Sequence, residues 1–169
     1  MSDTDETMID DNDENPTGAA ATATEAPVQA APQRPPVRVD ARNPLWTVGR
    51  RKSSTARVRM FPGGGNFIIN GKQLDEYFRL PQDQRSASAA LHRAAVRDKY
   101  DVWVNVQGGG TTGQAGAISL GVSRALLQLE PGSEKLLRDD GFLSRDARVK
   151  ERKKYGRRGA RRGFQFSKR

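Results

Sequence analysis

The chain has 169 residues, no cysteine, one histidine and a formal net charge of +9. This excludes disulfides, thiolate metal sites, a cysteine nucleophile and any histidine-based metal cluster, and no apolar run approaches the ~20 residues that a membrane-spanning helix needs. The charge is unevenly placed: residues 1–33 hold eight acids and no Lys or Arg, whereas residues 145–169 hold twelve Lys or Arg against Asp146 and Glu151. A cationic run of that size repels itself unless a polyanion neutralises it. Nucleic acid is the first candidate partner, anionic membrane the second, and a solubilising tail the plain alternative.

Residues 1–44 are acidic, then rich in Ala, Thr, Gln and Pro. They bury too little apolar surface to offset the entropy of ordering, so they are expected to be disordered. With no basic n-region and no apolar h-region, the N-terminus shows no secretory signal. Its acidity argues against a mitochondrial transit peptide, and a −8 extension could shield the cationic tail by intramolecular attraction.

Apolar patterning begins at Leu45. Over residues 55–61, Val58 and Met60 alternate with Arg57 and Arg59, the period-two signature of a half-buried strand. Pro62-Gly63-Gly64-Gly65 is a turn signal, residues 66–69 are a second strand, and Asn70-Gly71 is another turn, so the two runs are expected to pair as a β-hairpin. Residues 73–78 fit a short helix closed by Pro81. Residues 86–98 fit an alanine-rich helix capped by Ser86, with Ala87, Ala90, Leu91, Ala94 and Ala95 as its apolar stripe. Residues 100–106 form the clearest strand, with Val102, Val104 and Val106 on one face. After Gly108-Gly109-Gly110 comes a helix over about 114–130 whose apolar face is Ile118, Val122, Ala125, Leu126 and Leu129; Pro131-Gly132 stops it, and residues 133–138 form a short helix before Gly141. The expected fold is an α+β or α/β sandwich, a small sheet packed against helices over residues 45–144, followed by an extended basic tail, 145–169, that does not fold alone.

Three clusters carry the candidate chemistry. Gly108, Gly110 and Gly113 fit G-x-G-x-x-G between a strand and a helix. A dinucleotide fold would place an acid at the end of a second parallel strand about twenty residues on, and here only Glu130 lies near that distance, at a helix end. Gln114-Ala115 also replaces the Lys-Ser/Thr of a phosphate-binding loop. What remains is a set of backbone N–H groups at a helix N-terminus able to hold an RNA phosphate, or glycines that merely permit a tight turn and close packing; Gly110 is expected at φ > 0 or a close approach. Arg50-Arg51-Lys52 stand before the first predicted strand, on an edge or ahead of it, where they reach phosphates or simply solvate the edge. In the tail, Arg148, Arg152, Lys153, Lys154, Arg157, Arg158, Arg161 and Arg162 are interrupted by small residues and by Tyr155, which suits an irregular RNA groove. Asp139-Asp140 and His92 converge on no pocket, so no catalytic residue, metal site, cofactor or small-molecule substrate is expected.

Taken in order, the segments 48–58, 108–118, 142–154 and 165–169 resemble the small-subunit ribosomal protein nine family of bacterial type. The resemblance covers residues 45 to 169. It implies a left-handed βαβ crossover, a cytoplasmic location in the head of the small ribosomal subunit, contact with ribosomal RNA and neighbouring head proteins, and a tail whose Ser167, Lys168 and Arg169 approach transfer RNA at the peptidyl site. Residues 1–44 have no counterpart in the common bacterial form, and Gly163-Phe164 stands where the family commonly carries Arg-Pro. Two rival functions differ in kind: a general nucleic-acid or chromatin-like binder, and a nucleotide-dependent enzyme built on the glycine loop.

Overall fold

The structure, a computed structural model, describes residues 38–40 and 42–167. The expectation of disorder for 1–44 therefore falls almost wholly outside the described residues, and Lys168 and Arg169 also lie outside them. Among the described residues, five strands form one sheet: β1 (Leu45–Arg51), β2 (Ser54–Pro62), β3 (Phe67–Ile69), β4 (Lys72–Gln73) and β5 (Tyr100–Gln107), in the order β1-β2-β5-β3-β4. The helices are α1 (Leu74–Tyr77), α2 (Pro81–Arg93), α3 (Thr111–Leu129) and α4 (Glu134–Asp139). The fold is α+β, a small mixed sheet with helices on one face.

The predicted hairpin between residues 55–61 and 66–69 does not form. β5 inserts between these runs, antiparallel to β2 and parallel to β3. The glycine turn that suggested a hairpin is instead stitched to the start of β5: Gly63 N–H donates to Lys99 O at 3.0 Å, and a Cβ on Gly63 would lie 2.2 Å from the Asp101 carboxylate. The true hairpins are β1–β2 and β3–β4. In the second, Asn70 and Gly71 both take positive φ, 50° and 83°, as a two-residue turn with the twist of its strands requires. The parallel β3–β5 pair is joined through α1 and α2, a βαβ connection.

One face of the sheet and the two long helices supply the core. Val58, Met60, Val102 and Val104 meet Ile118, Val122 and Leu126 of α3 and Ala87, Ala90 and Leu91 of α2, all buried. Each large aliphatic side chain contributes roughly 1.5–3 kcal/mol by leaving water. The close approach of β1 to α3 depends on small residues: a Cβ on Gly49 would sit 1.9 Å from Ala117 O and 2.5 Å from Gly121 N. Thr47 Oγ1 donates to Gly121 O at 2.8 Å across the same contact. Tyr100, at the start of β5, donates to Glu130 past the end of α3 at 3.1 Å; burial and that carboxylate push its phenol up to about 12.

Helix α2 corrects two expectations. It begins at Pro81, which occupies the first turn rather than closing the preceding helix, and Ser86 lies inside it. It ends at Arg93, not 98: Val96 N–H reaches back to Leu91 O at 3.1 Å with Ala95 at φ 52°, the left-handed C-terminal motif usually built with glycine. The stripe therefore ends early, with Ala95 exposed and Val96 buried. Helix α3 starts at Thr111, so the glycine run is its lead-in, and the five predicted apolar-face residues are all buried. After α4, Phe142 N–H returns to Leu137 O at 3.0 Å with Gly141 at φ 75°. This packs Phe142 against the core and sets the direction in which the tail leaves.

Candidate nucleic-acid interface

Arg50, Arg51 and Lys52 stand ahead of β2, as expected, but on an edge strand of their own: they end β1 and turn into β2. Arg51 pairs with Ser54, and Lys52 takes φ 51° in the two-residue turn between them. Arg50 and Lys52 are exposed, while Arg51 is half-buried.

The glycine loop packs directly against this hairpin tip. Gly108 and Gly109 have φ 77° and 66°; a Cβ on the first would lie 2.6 Å from Ser53 O, and one on the second 2.2 Å from Ser54 Oγ. Ser54, itself buried, donates to Gly108 O at 3.0 Å, and Gln114 Nε2 donates to the same oxygen at 3.1 Å. Gly110 departs from expectation: it has φ −108° and open space where a Cβ would stand. Gly113 is buried under Ser54, so the third glycine of the fingerprint serves helix packing. The loop leaves Gly108, Gly109 and Gly110 exposed ahead of a 19-residue helix with no acid in its first turn.

The tail root meets the same tip. Arg51 runs over Gly116 of α3, where a Cβ would sit 2.1 Å from its Cδ, and its Nη1 donates to Asp146 Oδ2 at 2.5 Å. Asp146 also takes the Arg148 guanidinium at 2.8 Å and the Arg148 N–H at 2.9 Å. Arg148, its backbone N–H and Arg51 hold the Asp146 carboxyl well below the usual carboxylate range, and Asp146 in turn raises the Arg148 guanidinium. Arg51 is thus an internal tie more than an open cation.

Beyond the root, Arg152, Lys153, Lys154, Arg157, Arg158, Arg161 and Arg162 are exposed on a segment without helix or strand. Glu151 takes Arg161 in a two-bond pair at 2.9 and 3.0 Å. That pair lowers the Glu151 carboxyl and raises the Arg161 guanidinium. Arg158 lies over Phe164, 5.4 Å from the ring centroid. Ser167 is the last described residue of the predicted transfer-RNA contact, and it is exposed.

Two arginines were not among the expected site residues: Arg124, which the sequence did not single out, and Arg145, which it counted only as the start of the tail. Arg124 and Arg145 line a groove of about 400 Å³ with Arg50, Val48 and Leu120. Arg124 Nη1 donates to Val48 O at 2.7 Å, which fixes the guanidinium at the edge of β1. It is the sole charged residue within α3, and that isolation was the available signal. Hairpin tip, glycine loop, arginine groove and tail root are therefore contiguous, and Asp146 is the one acid lining the grooves about the tip. Asp139, Asp140 and His92 are exposed, but His92 and Asp140 do line one open pocket together with Arg93, whose Nε donates to Asp140 at 2.5 Å.

A small α+β domain carrying a cationic, glycine-edged surface continuous with a cationic tail is the class these features define. The chain matches the family model of ribosomal protein S9/S16 over residues 49–169 and belongs to that family. It is 54% identical over 123 residues to the small ribosomal subunit protein uS9 of Anaeromyxobacter sp. (strain K), covering 73% of this chain and 95% of the relative. It is 50% identical over 125 residues to the protein of that name from Gloeobacter violaceus, covering 73% and 94%. With that of Mycobacterium avium (strain 104) the identity is 44% over 161 residues, 94% of this chain and 95% of the relative. That last match is too long to omit residues 1–44, so most of the N-terminal extension has a counterpart in that relative.

Proposed function

We propose that the chain is a structural constituent of the small ribosomal subunit in the cytoplasm and binds small-subunit ribosomal RNA through the contiguous cationic surface. Its family is structural rather than catalytic. The observation that carries the reading is the convergence of Arg50, Lys52, Arg124 and Arg145 with the exposed Gly108–Gly110 backbone and the root of the tail. Arginine forks and point-charge lysines hold phosphates, and N–H groups at a helix start add a fixed positive end. Residues 45–144 form the binding body. Residues 145–169 follow the RNA outward, and Ser167, Lys168 and Arg169 reach the anticodon stem-loop of peptidyl-site transfer RNA. Neighbouring proteins of the subunit head are the further partners.

The test is a salt titration of the full chain against a transcribed head fragment of small-subunit ribosomal RNA and against duplex DNA of equal length. The RNA should win at matched salt, and log K should fall with log salt by roughly 0.7–0.9 per phosphate neutralised. Replacing Arg152, Lys153, Lys154, Arg157 and Arg158 by Gln should flatten that slope by several units. Equal affinity for both nucleic acids would favour a general basic binder instead.

A further inference from the structure

Among the described residues, the helices cover one face of the sheet, and the other stays open across three strands. The register places Trp46, Arg59 and Trp103 side by side, followed by Ile68 of β3. The row beside it aligns Val48, Arg57 and Asn105. Trp46 is 58% exposed and Trp103 41%, both high for the largest apolar side chain. Exposure of that kind on a sheet marks an interaction surface more often than a structural one.

The detail of this face says what fits it. The Arg59 guanidinium stands between the two indoles, 5.2 Å from one ring centroid and 5.4 Å from the other, so it is held in place by stacking rather than by an acid. Among the described residues, Arg57 and Arg59 on this face have no acidic partner within salt-bridge distance. The face's own acid, Asp101, is occupied by the Asn66 N–H at 2.8 Å. Beside the aromatic row lies a polar groove of about 280 Å³ lined by Thr55, Arg57, Asn105 and Gln107. Flat apolar rings, interleaved arginines and a groove of amide and hydroxyl groups are the three components a nucleotide needs: a surface to stack its base, cations for its phosphate and hydrogen-bonding groups for the base edge.

We infer that this open sheet face binds a short unpaired stretch of RNA, with bases stacked on Trp46 and Trp103 and phosphates held by Arg57 and Arg59. The inference rests on the ribosomal RNA reading above but concerns a second surface, opposite the helices. The two indoles lie two strands apart, roughly 10 Å, which leaves room for the guanidinium between them and one base on each ring. A duplex cannot use the site, because its bases are already stacked. Two arginines against one occupied carboxylate favour a polyanion over a neutral apolar protein surface.

Trp46 and Trp103 are the chain's two tryptophans, so intrinsic fluorescence reads this face alone. The full chain is titrated with an unstructured ten-nucleotide adenylate and with a ten-base-pair RNA duplex, occupancy being followed by anisotropy of labelled RNA. The single strand should quench tryptophan emission in step with occupancy, and the duplex should bind with emission unchanged. Trp103→Leu and, separately, Arg59→Leu should weaken single-strand binding about tenfold, the scale of one lost base stack, and leave duplex affinity within twofold. Both positions are outside the core, and an unchanged circular dichroism spectrum confirms the fold. Single-strand binding without quenching, or equal loss for both RNAs, would overturn the inference and leave the face to a protein neighbour. Binding of the duplex alone would likewise overturn the inference, and failure of both RNAs to bind would instead sink the broader RNA-binding reading.

Discussion

Arg51 Nη1 and Asp146 Oδ2 meet at 2.5 Å across 95 residues of sequence, joining the tip of the β1–β2 hairpin to the first acid of the tail. Because Asp146 also holds Arg148, this contact fixes the path on which the tail departs. Asp146→Asn and Arg51→Leu should both lower backbone order over residues 144–150, as read by 15N relaxation, with the thermal midpoint barely moved. The sign of the pH effect follows from the lowered carboxyl of Asp146. A depressed carboxylate contributes fully above its unfolded value of about 3.9 and fades only as pH falls through its lower folded value. Order at the tail root should therefore be the same at pH 8 and pH 5. A root that loosens by pH 5, or is untouched by Asp146→Asn, would show that the pair holds nothing.

The glycine loop predicts a contrast between neighbours. Gly109→Ala forces a left-handed residue, at about 1–2 kcal/mol, and drives a Cβ into Ser54 Oγ. Gly110→Ala meets open space at ordinary φ and should cost less than about 1 kcal/mol, the scale of a changed N-cap. Urea denaturation of the two variants gives the comparison, and equal losses would contradict the loop geometry.

The end of α2 offers a stabilising change. Ala95 is exposed and sits at φ 52°, where glycine avoids the Cβ clash. Offset by the greater freedom of glycine in the unfolded chain, Ala95→Gly should still raise stability by about 0.5–1 kcal/mol. A lower thermal midpoint would argue that the helix ends differently.

These residues also show what could be seen in the sequence. Period-two alternation located β2 and β5, and period 3.6 located the buried face of α3, because both depend only on local side-chain direction. The pairing of β3 was hidden because it is set by a strand more than thirty residues away, whereas Pro62-Gly63-Gly64-Gly65 looks like a hairpin turn. The end of α2 was hidden because alanine fills a slot that glycine usually signals. At the site, Arg50, Lys52 and the glycine loop were legible as separate cationic and phosphate motifs. Their contact through Ser54, and the diversion of Arg51 to Asp146, are tertiary facts. β1 itself was missed because Arg50 and Arg51 read as a charged lead-in.

The terminus carries a prediction of modest size. Ion pairs formed at a solvated surface are worth on the order of 1 kcal/mol or less, and Lys168 and Arg169 supply two cations for them. Deleting residues 167–169 should leave assembly intact, since ten other tail cations remain. Transfer RNA should leave the peptidyl site of purified subunits a few times faster. Identical dissociation would place these residues within ribosomal RNA instead.

The measurement that bears most directly on the ribosomal role is sedimentation of epitope-tagged full chain expressed in bacterial cells, with gradients run in high salt and ultraviolet crosslinks mapped from the tail and hairpin tip. The account predicts that the chain migrates with the small subunit after the salt wash, with crosslinks to its ribosomal RNA from residues around Arg50 and from 148–162. A chain that stays at the top of the gradient, or that leaves the particle in salt without specific crosslinks, would contradict it.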